Sequence, residues 1–143
     1  MASRSKSDLH LTLATAFVLT AVKYGKLYPT APQPFITCTY RSGEEQEELF
    51  KQIPKITNAR AGKSPHNFNP SFAFDIAFIT VAKKIDWAMI NFRNFAALIT
   101  DPAFEFYDRE LKTTLKIEWG GSWVQFPDSP HFQLKNWRTF IKK

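Results

Sequence analysis

Residues 117–134 of the chain read Ile-Glu-Trp-Gly-Gly-Ser-Trp-Val-Gln-Phe-Pro-Asp-Ser-Pro-His-Phe-Gln-Leu. Residues 119–130 are rich in turn formers, and residues 131–134 are typical of a short strand. His131 is a candidate metal ligand, because a catalytic zinc takes three protein ligands from His, Asp, Glu or Cys and leaves one position open for water. Asp128 lies three residues earlier, an offset that would let it act as a base without being a ligand.

Two further candidate ligands lie upstream of this block. His66 falls in residues 58–71, which have no apolar period and therefore predict a loop. Asp75 is the one charge in the apolar run 72–79, which predicts a buried strand. An unpaired carboxylate is expensive to bury, so Asp75 requires a nearby cation, either a metal ion or the side chain of Arg or Lys. His66, Asp75 and His131 would together supply the three ligands of a zinc site.

The spacing of apolar and turn-forming residues predicts four helices, at residues 9–22, 44–53, 84–99 and 102–115. The first is predicted to be capped by Ser7 and closed by Gly25. The second follows a segment with the spacing of a capping box, residues 42–45, and Pro54 stops it.

Residues 35–41, between the first two helices, alternate as a strand does. The alternation places Arg41 at the strand end, on the face of Phe35 and opposite to Cys38. The guanidinium carries a fixed charge, suited to stabilising an oxyanion or to gripping a substrate carboxylate. A salt bridge to an acid such as Glu45 is the structural alternative.

Length, charge and cysteine content narrow the class of protein. With 143 residues, 44% of them hydrophobic, the chain predicts one domain around one core. The single cysteine excludes an internal disulfide and a thiolate zinc cluster, so any metal site must use His and carboxylates. The net charge of +6 either serves solubility alone or favours an anionic partner, whether nucleic acid, lipid or a wall polymer. A basic nucleic-acid-binding module therefore stays open as an alternative, although no segment matches a known reader motif.

The apolar run at residues 9–22 is the one segment that could suggest a membrane span or a leader. It is too short and too polar to cross a bilayer, which takes about 20 predominantly apolar residues. A clean small-x-small cleavage site is missing after it as well. We therefore expect neither a transmembrane segment nor a signal peptide.

Four motifs together resemble the VanY-type zinc peptidases, which comprise D-alanyl-D-alanine carboxypeptidases and phage L-alanyl-D-glutamate endopeptidases. They are Ser64-x-His66, Ala73-x-Asp75, Trp119-Gly120-Gly121-x-Trp123 and Asp128-x-Pro130-His131-Phe132. The resemblance extends over about residues 40–134, and the C-terminal block looks most like the phage branch. In one respect the chain departs from the family, whose first His and Asp usually lie seven positions apart with a Gly between them. Here the separation is nine, and Asn69-Pro70-Ser71 occupies the region of that Gly, so the pocket near residues 67–71 is expected to differ in shape from that of the family.

The resemblance implies an α+β fold of the hedgehog and D-Ala-D-Ala-peptidase type, a small antiparallel sheet flanked by helices. It also implies a Zn²⁺ ion held by His66, Asp75 and His131, with Asp128 as the general base. Of the two catalytic uses open to Arg41, it favours stabilisation of the oxyanion.

For the other polar and aromatic residues near the motifs, the sequence leaves more than one use open. Ser64 would either hydrogen-bond substrate or orient the His66 loop. Trp119 and Trp123 would either wall the substrate cleft or belong to the core. Glu118 is the rival carboxylate, and we rank it below Asp128 because its separation from His131 fixes no geometry; a place at the surface or behind the ligands is the better expectation for it. His10 lies far from the motifs and is expected to be structural.

As a whole, the resemblance implies a zinc-dependent peptidoglycan endopeptidase that cuts the L-alanyl-D-glutamate bond of the stem peptide, as a phage endolysin does in lysing bacteria. A D-alanyl-D-alanine carboxypeptidase is the alternative with the same chemistry. We expect residues 1–143 to form a single zinc peptidase catalytic domain, monomeric and without a separate wall-binding domain. A phage enzyme of this kind would be made in the host cytoplasm without a signal peptide and would reach the cell wall after release.

Overall fold

The computed structural model describes residues 2–54 and 56–141, and its centre is a five-stranded antiparallel sheet. The strands run in the order β1-β2-β7-β6, with β3 beside β2: β1 (Gln33–Cys38), β2 (Ala73–Ile79), β3 (Ile85–Asp86), β6 (Ile117–Trp119) and β7 (His131–Leu134). A separate hairpin consists of β4 (Phe106–Asp108) and β5 (Thr113–Leu115). The helices are α1 (Leu11–Leu27), α2 (Gly43–Phe50) and α3 (Met89–Ile99).

One face of the sheet carries the hydrophobic core. Phe74 and Phe132 stack on neighbouring strands with ring centroids 5.5 Å apart, and both are fully buried. Phe17 of α1 meets Phe74 edge-on at 5.7 Å, and Phe95 of α3 meets Phe132 at 5.3 Å. These edge-to-face contacts seal α1 and α3 onto the sheet. The predicted α+β class, an antiparallel sheet flanked by helices, is confirmed.

The predicted ends of α1 are wrong, although its existence is confirmed. His10 is the N-cap, and its Nδ1 accepts a hydrogen bond from the Thr12 N–H at 3.3 Å, whereas Ser7 lies in a separate 3-10 turn. Gly25 lies inside the helix, which continues to Leu27. A Cβ at residue 25 would stand 3.2 Å from Oε1 of Gln33, so the glycine serves packing and not helix termination. Within the described residues, no helix is both long and apolar enough to cross a membrane.

Two of the other predicted helices differ from the structure. Residues 84–99 begin with strand β3, and only the later part forms α3. Residues 102–115 form the hairpin β4–β5 instead of a helix. Phe106 and Leu115 pair across this hairpin and are both buried, so tertiary packing outweighs the helical spacing of the apolar residues. The predicted strands at 72–79 and 131–134 are confirmed as β2 and β7.

The predicted capping box is present: the Ser42 side chain accepts from the Glu45 N–H, and the Glu45 carboxylate accepts from the Ser42 N–H. The alternation predicted for residues 35–41 is broken, because the register of β1 against β2 shifts between Ile36 and Cys38. A bulge of this kind re-aims side chains. Cys38 and Arg41, predicted on opposite faces, therefore contact each other, with Nη2 of Arg41 3.6 Å from Sγ.

Candidate metal centre and active site

The second face of the sheet carries a row of polar side chains placed by strand register. Asp75 of β2 pairs directly with His131 of β7, and Gln133 of β7 pairs with Glu118 of β6. Cys38 of β1 pairs with Asp75 from the other side. Since alternate residues of a strand point to opposite faces, the row lies opposite the stacked phenylalanines of the core.

His66 reaches this row from a short 3-10 turn, Pro65–Asn67, in the loop that precedes β2. The hydroxyl of Ser64 accepts a hydrogen bond from the His66 N–H at 3.2 Å, and the Asn67 side chain donates to the carbonyl of Arg41 at 2.9 Å. The Arg41 N–H in turn donates to the carbonyl of His66 at 2.8 Å. Of the two uses open to Ser64, the contacts favour the one in which it orients the His66 loop.

Three donor atoms from these segments converge on one point. Nε2 of His66 and Nδ1 of His131 lie 3.2 and 3.0 Å from Oδ1 of Asp75, and 3.2 Å from each other. A tetrahedral zinc with ligand bonds of 2.0–2.1 Å separates its ligand atoms by about 3.3 Å. Two imidazoles and one carboxylate at this spacing fit a zinc ion, and they leave its fourth position to a non-protein ligand.

Outer hydrogen bonds fix which nitrogen of each imidazole can bind a metal. Nδ1 of His66 lies 2.8 Å from the carbonyl of Thr39, which can only accept, so Nδ1 keeps its proton and Nε2 is the nitrogen that a metal would bind in place of a proton. Nε2 of His131 lies 2.7 Å from Oε1 of Gln133. The NH2 group of Gln133 donates to the Glu118 carboxylate. This contact orients the Gln133 amide oxygen towards Nε2 of His131, so Nδ1 of His131 is the nitrogen that can bind a metal.

The electrostatics of the centre favour a cation. Burial lowers the pKa of His66, but the adjacent Asp75 carboxylate more than reverses this and raises the pKa to about 10. Burial raises the pKa of Asp75, while the two imidazoles hold it well below its usual value. The negative charge of Asp75 stabilises a proton on the His66 imidazole. The same charge attracts a metal ion to the point between the two side chains, so that metal and proton compete for it.

Cys38 offers a second set of three donors with His66 and Asp75, all within 4.8 Å of one another. Its Sγ approaches the His66 ring at Nδ1, 3.7 Å away. That nitrogen is the one held by the Thr39 carbonyl, so the thiol faces the wrong side of the ring to share a metal with Asp75. The shorter and mutually consistent distances favour His131 over Cys38 as the third ligand.

Arg41 lies at the edge of the centre and is held by three groups. Its Nη2 is 3.7 Å from Oδ2 of Asp75 and 3.6 Å from Sγ of Cys38, and Nη1 donates to Oε1 of Gln46 at 3.0 Å. The Gln46 amide is itself anchored on the carbonyl of Ala59 at 2.8 Å. A cation held in this way is preorganised to face negative charge that develops beside the ligands.

Asp128 lines the same cavity as the three candidate ligands and is placed there by Gly120. The Asp128 N–H donates to the Gly120 carbonyl at 2.9 Å, and a Cβ at residue 120 would stand 2.5 Å from the Asp128 carbonyl. Only glycine allows this approach. Burial raises the pKa of Asp128, and the negative charge of Asp75 raises it further, against the opposing effect of the imidazoles and Arg41. A raised pKa suits a base that must both take and return a proton.

The cavity has a volume of about 600 Å³, and its wall includes Arg41, Ser64 and Glu118 in addition to the ligands and Asp128. Trp123 also lines it, with its ring 5.4 Å from that of His131. Trp119 is not among the residues that line it, and of the two uses left open for this residue its contacts favour the one in the core. Its indole N–H donates to the carbonyl of Ser129 at 2.7 Å, and its ring packs against the core residue Phe132.

Sequence reasoning missed the residues that orient the ligands. Gln133 lies two positions after His131 on the same strand, so the period of a β-strand could have placed both on one face. Glu118, expected at the surface or behind the ligands, accepts a hydrogen bond from the Gln133 amide, whose oxygen lies 2.7 Å from Nε2 of His131. Neither the carbonyl of Thr39 nor the contact of Gln46 with Arg41 has a signal in the sequence.

The longer spacing between His66 and Asp75 is absorbed away from the ligands. The Ser71 N–H donates to the carbonyl of Asp8 at 2.8 Å, and the Ser71 carbonyl accepts from the His10 N–H at 2.9 Å. Ser71 therefore pairs with the segment before α1, and Nε2 of His66 still lies 3.2 Å from Oδ1 of Asp75.

Comparison with known proteins matches this arrangement to one family. A family model described as D-alanyl-D-alanine carboxypeptidase matches residues 57–134, which contain all three candidate ligands and Asp128. The peptidoglycan L-alanyl-D-glutamate endopeptidase CwlK of Bacillus subtilis (strain 168) is 34% identical over 104 residues. That alignment covers 69% of this chain and 59% of CwlK, so the chain spans less than two thirds of that relative.

A solved structure gives the same fold. The crystal structure of the Serratia marcescens L-Ala D-Glu endopeptidase ChiX superposes with a TM-score of 0.64 at 22% identity. The superposition covers 98% of this chain and 93% of that one. The architecture therefore matches along nearly the whole length.

Proposed function

The chain belongs to the D-alanyl-D-alanine carboxypeptidase family of peptidases, and from this premise we propose that it is a zinc-dependent peptidoglycan endopeptidase acting at the L-alanyl-D-glutamate bond. The convergence of His66, Asp75 and His131 beside a cavity that also holds Asp128 carries the proposal. A nucleic-acid-binding module would give these four residues no role.

We propose His66, Asp75 and His131 as the ligands of zinc. When bound, zinc supplies Lewis acidity, which polarises a carbonyl and makes water acidic enough to ionise near neutral pH. Asp75 lends negative charge to the centre, while Thr39 and Gln133 hold the imidazoles with their lone pairs directed inwards.

The remaining steps fall to two side chains at the edge of the centre. Asp128 takes the proton of the attacking water and returns it to the nitrogen of the leaving amine. The guanidinium of Arg41 stabilises the negative charge that develops on the carbonyl oxygen, at a position fixed by Gln46 and Asp75. Trp123 forms part of the wall along which the peptide lies.

The bond is proposed from the two relatives, CwlK and ChiX, whose names both specify L-alanyl-D-glutamate endopeptidases. Digestion of purified peptidoglycan, followed by identification of the products, tests it. New D-glutamyl amino termini are expected. Release of free D-alanine without such termini would contradict the proposal and favour a D-alanyl-D-alanine carboxypeptidase.

We further propose that the protein acts as a monomeric, single-domain phage lysis enzyme that waits in the host cytoplasm, because its C-terminal block resembles the phage branch most. Expression in a Gram-negative host tests this. The culture is expected to stay turbid until the inner membrane is permeabilised and then to clear, whereas the Asp128→Ala variant stays turbid. Clearing before permeabilisation would contradict the proposed dependence on release.

A further inference from the structure

We propose that Arg138 forms a subsite for the free carboxylate of the glutamyl residue beside the scissile bond. This inference rests on the proposed endopeptidase function and adds to it a determinant of specificity. Glutamate has two carboxyl groups, and at most one of them continues the peptide. The residue whose nitrogen is released therefore carries a free carboxylate close to the reacting atoms, unless that group is amidated.

A cationic side chain in the cavity would bind this free glutamyl carboxylate. Among residues 2–54 and 56–141, three line it: Arg41, Lys63 and Arg138. Arg41 is already engaged with Asp75, Gln46 and Cys38 at the metal centre. In the part of the chain that the structure describes, neither Lys63 nor Arg138 forms an ion pair. Two cations thus remain for substrate.

Of these two, Arg138 lies against an aromatic ring. Its guanidinium carbon lies 4.5 Å from the centroid of the Trp137 ring, a cation–π contact. Trp137 is 4% exposed and is held by Phe68 and Phe72, with ring centroids at 5.6 and 6.3 Å. A guanidinium that stacks on a fixed ring keeps a defined orientation. Its planar N–H groups can then bind a carboxylate in a bidentate manner, through two parallel hydrogen bonds.

Lys63 lacks the directional fork of an arginine. It is exposed, as Arg138 is, and it follows Gly62, which has a positive φ of 74°. A lysine ammonium on a flexible stem acts as a point charge without the directional fork. Lys63 would therefore attract an anion to the cavity without selecting its geometry.

The test uses two peptide substrates that contain an L-alanyl-D-glutamyl bond and differ in one group. In one, the second carboxyl of the glutamyl residue is free, and in the other it is a carboxamide. The zinc-loaded wild type is compared with Arg138→Gln, Arg138→Lys and Lys63→Gln. Arg93→Gln is the matched control, because Arg93 is exposed on α3, does not line the cavity and loses the same charge.

We expect the wild type to favour the carboxylate substrate by about 10- to 100-fold in kcat/KM, the range for a hydrogen bond to a charged group. Arg138→Gln should reduce this preference to within about twofold by slowing the carboxylate substrate alone, and Arg138→Lys should retain an intermediate preference. Arg93→Gln and Lys63→Gln should retain most of it.

Two results overturn the inference while leaving the proposed function intact: equal cleavage of both substrates by the wild type, or an unchanged preference in Arg138→Gln. Cleavage of neither substrate by the zinc-loaded wild type would instead contradict the endopeptidase function, and the subsite with it. Thermal unfolding of Arg138→Gln, expected to match the wild type because residue 138 is exposed, shows that the variant is folded.

Discussion

Two clusters of histidine and aspartate lie in this molecule, and they use their hydrogen-bonding atoms in opposite ways. At the start of α1, His10 lies 3.5 Å from Asp108. Nδ1 of His10 caps the helix, and the Asp108 oxygens accept from the Thr12 hydroxyl and the Leu111 N–H at 2.7 and 2.8 Å. The acceptor atoms of this cluster are all used in hydrogen bonds to nearby backbone and side-chain groups, and these bonds join α1 to the β4–β5 hairpin.

At the sheet, the contacts between His66, His131 and Asp75 are of similar length, 3.0–3.2 Å. Here the two imidazoles are held from outside by Thr39 and Gln133, so their remaining nitrogens both face one carboxylate oxygen. Residue type and burial do not separate the two clusters. The direction of the unused lone pairs does, and it marks the second cluster as the one that can hold a metal.

The two clusters are expected to differ most in zinc content and activity when the aspartate of each is replaced by asparagine. Asp75→Asn removes a ligand charge, and we expect loss of bound zinc and a fall of more than about 10³-fold in kcat/KM, because the Lewis acid supplies several kcal/mol. Asp108→Asn should retain zinc and activity. Metal analysis and peptidoglycan digestion measure both, and full zinc content in Asp75→Asn would erase the distinction between the clusters.

The next prediction separates the base from the ligands within the sheet cluster. Asp128→Ala should keep its zinc and lose about 10²- to 10⁴-fold in kcat, the range for general base catalysis. His131→Ala should lose both zinc and turnover. If Asp128→Ala loses its metal instead, Asp128 is a ligand and its assigned role is wrong.

A smaller effect is expected from the groups that orient the ligands. Gln133→Leu leaves all three ligands in place but frees the His131 ring, and we expect zinc to bind about 10- to 100-fold more weakly. The counterpart in the other cluster, Thr12→Val, removes the hydrogen bond to Asp108 and should leave zinc affinity unchanged. Isothermal titration with zinc measures both, and equal affinities would show that Gln133 has no orienting role.

The smallest effect concerns the stability that Asp108 contributes. Burial raises the pKa of Asp108, but hydrogen bonds from Thr12 and Leu111 and the proximity of His10 bring it below its usual value. Because the pKa is lower in the folded than in the unfolded state, the ionised carboxylate stabilises the protein at pH values above the unfolded-state pKa of about 3.9. This stabilisation is lost as the pH falls through the folded-state pKa.

Asp108→Asn should therefore lower the free energy of unfolding by about 1–3 kcal/mol at pH 7 and by less below about pH 4. Urea unfolding at both pH values, with zinc held constant, measures this. A cost that stays constant with pH would mean that the charge of Asp108 contributes nothing.

The sequence alone located the strands of the site but not its geometry. The apolar run around Asp75 and the block around His131 predicted β2 and β7, because buried strands have a short-range signature. Their register, which pairs Asp75 with His131, depends on the whole sheet and has no local signal.

Errors arose where long-range packing decides the local structure. Residues 102–115 have helical spacing but form the β4–β5 hairpin, whose turn is held by Asp108 and by α1 through Thr12. The bulge that turns Cys38 and Arg41 towards the same centre is likewise set by pairing with β2. For Trp119 the sequence left the cleft wall and the core both open, and its contacts are with the core and with Ser129.

The most direct test of the central claim is a crystal structure of the zinc-loaded protein with anomalous data at the zinc edge. We expect one strong peak, within 2.0–2.2 Å of Nε2 of His66, Nδ1 of His131 and Oδ1 of Asp75. A peak at any other place, or one bound by Sγ of Cys38 at about 2.3 Å in place of His131, would contradict it.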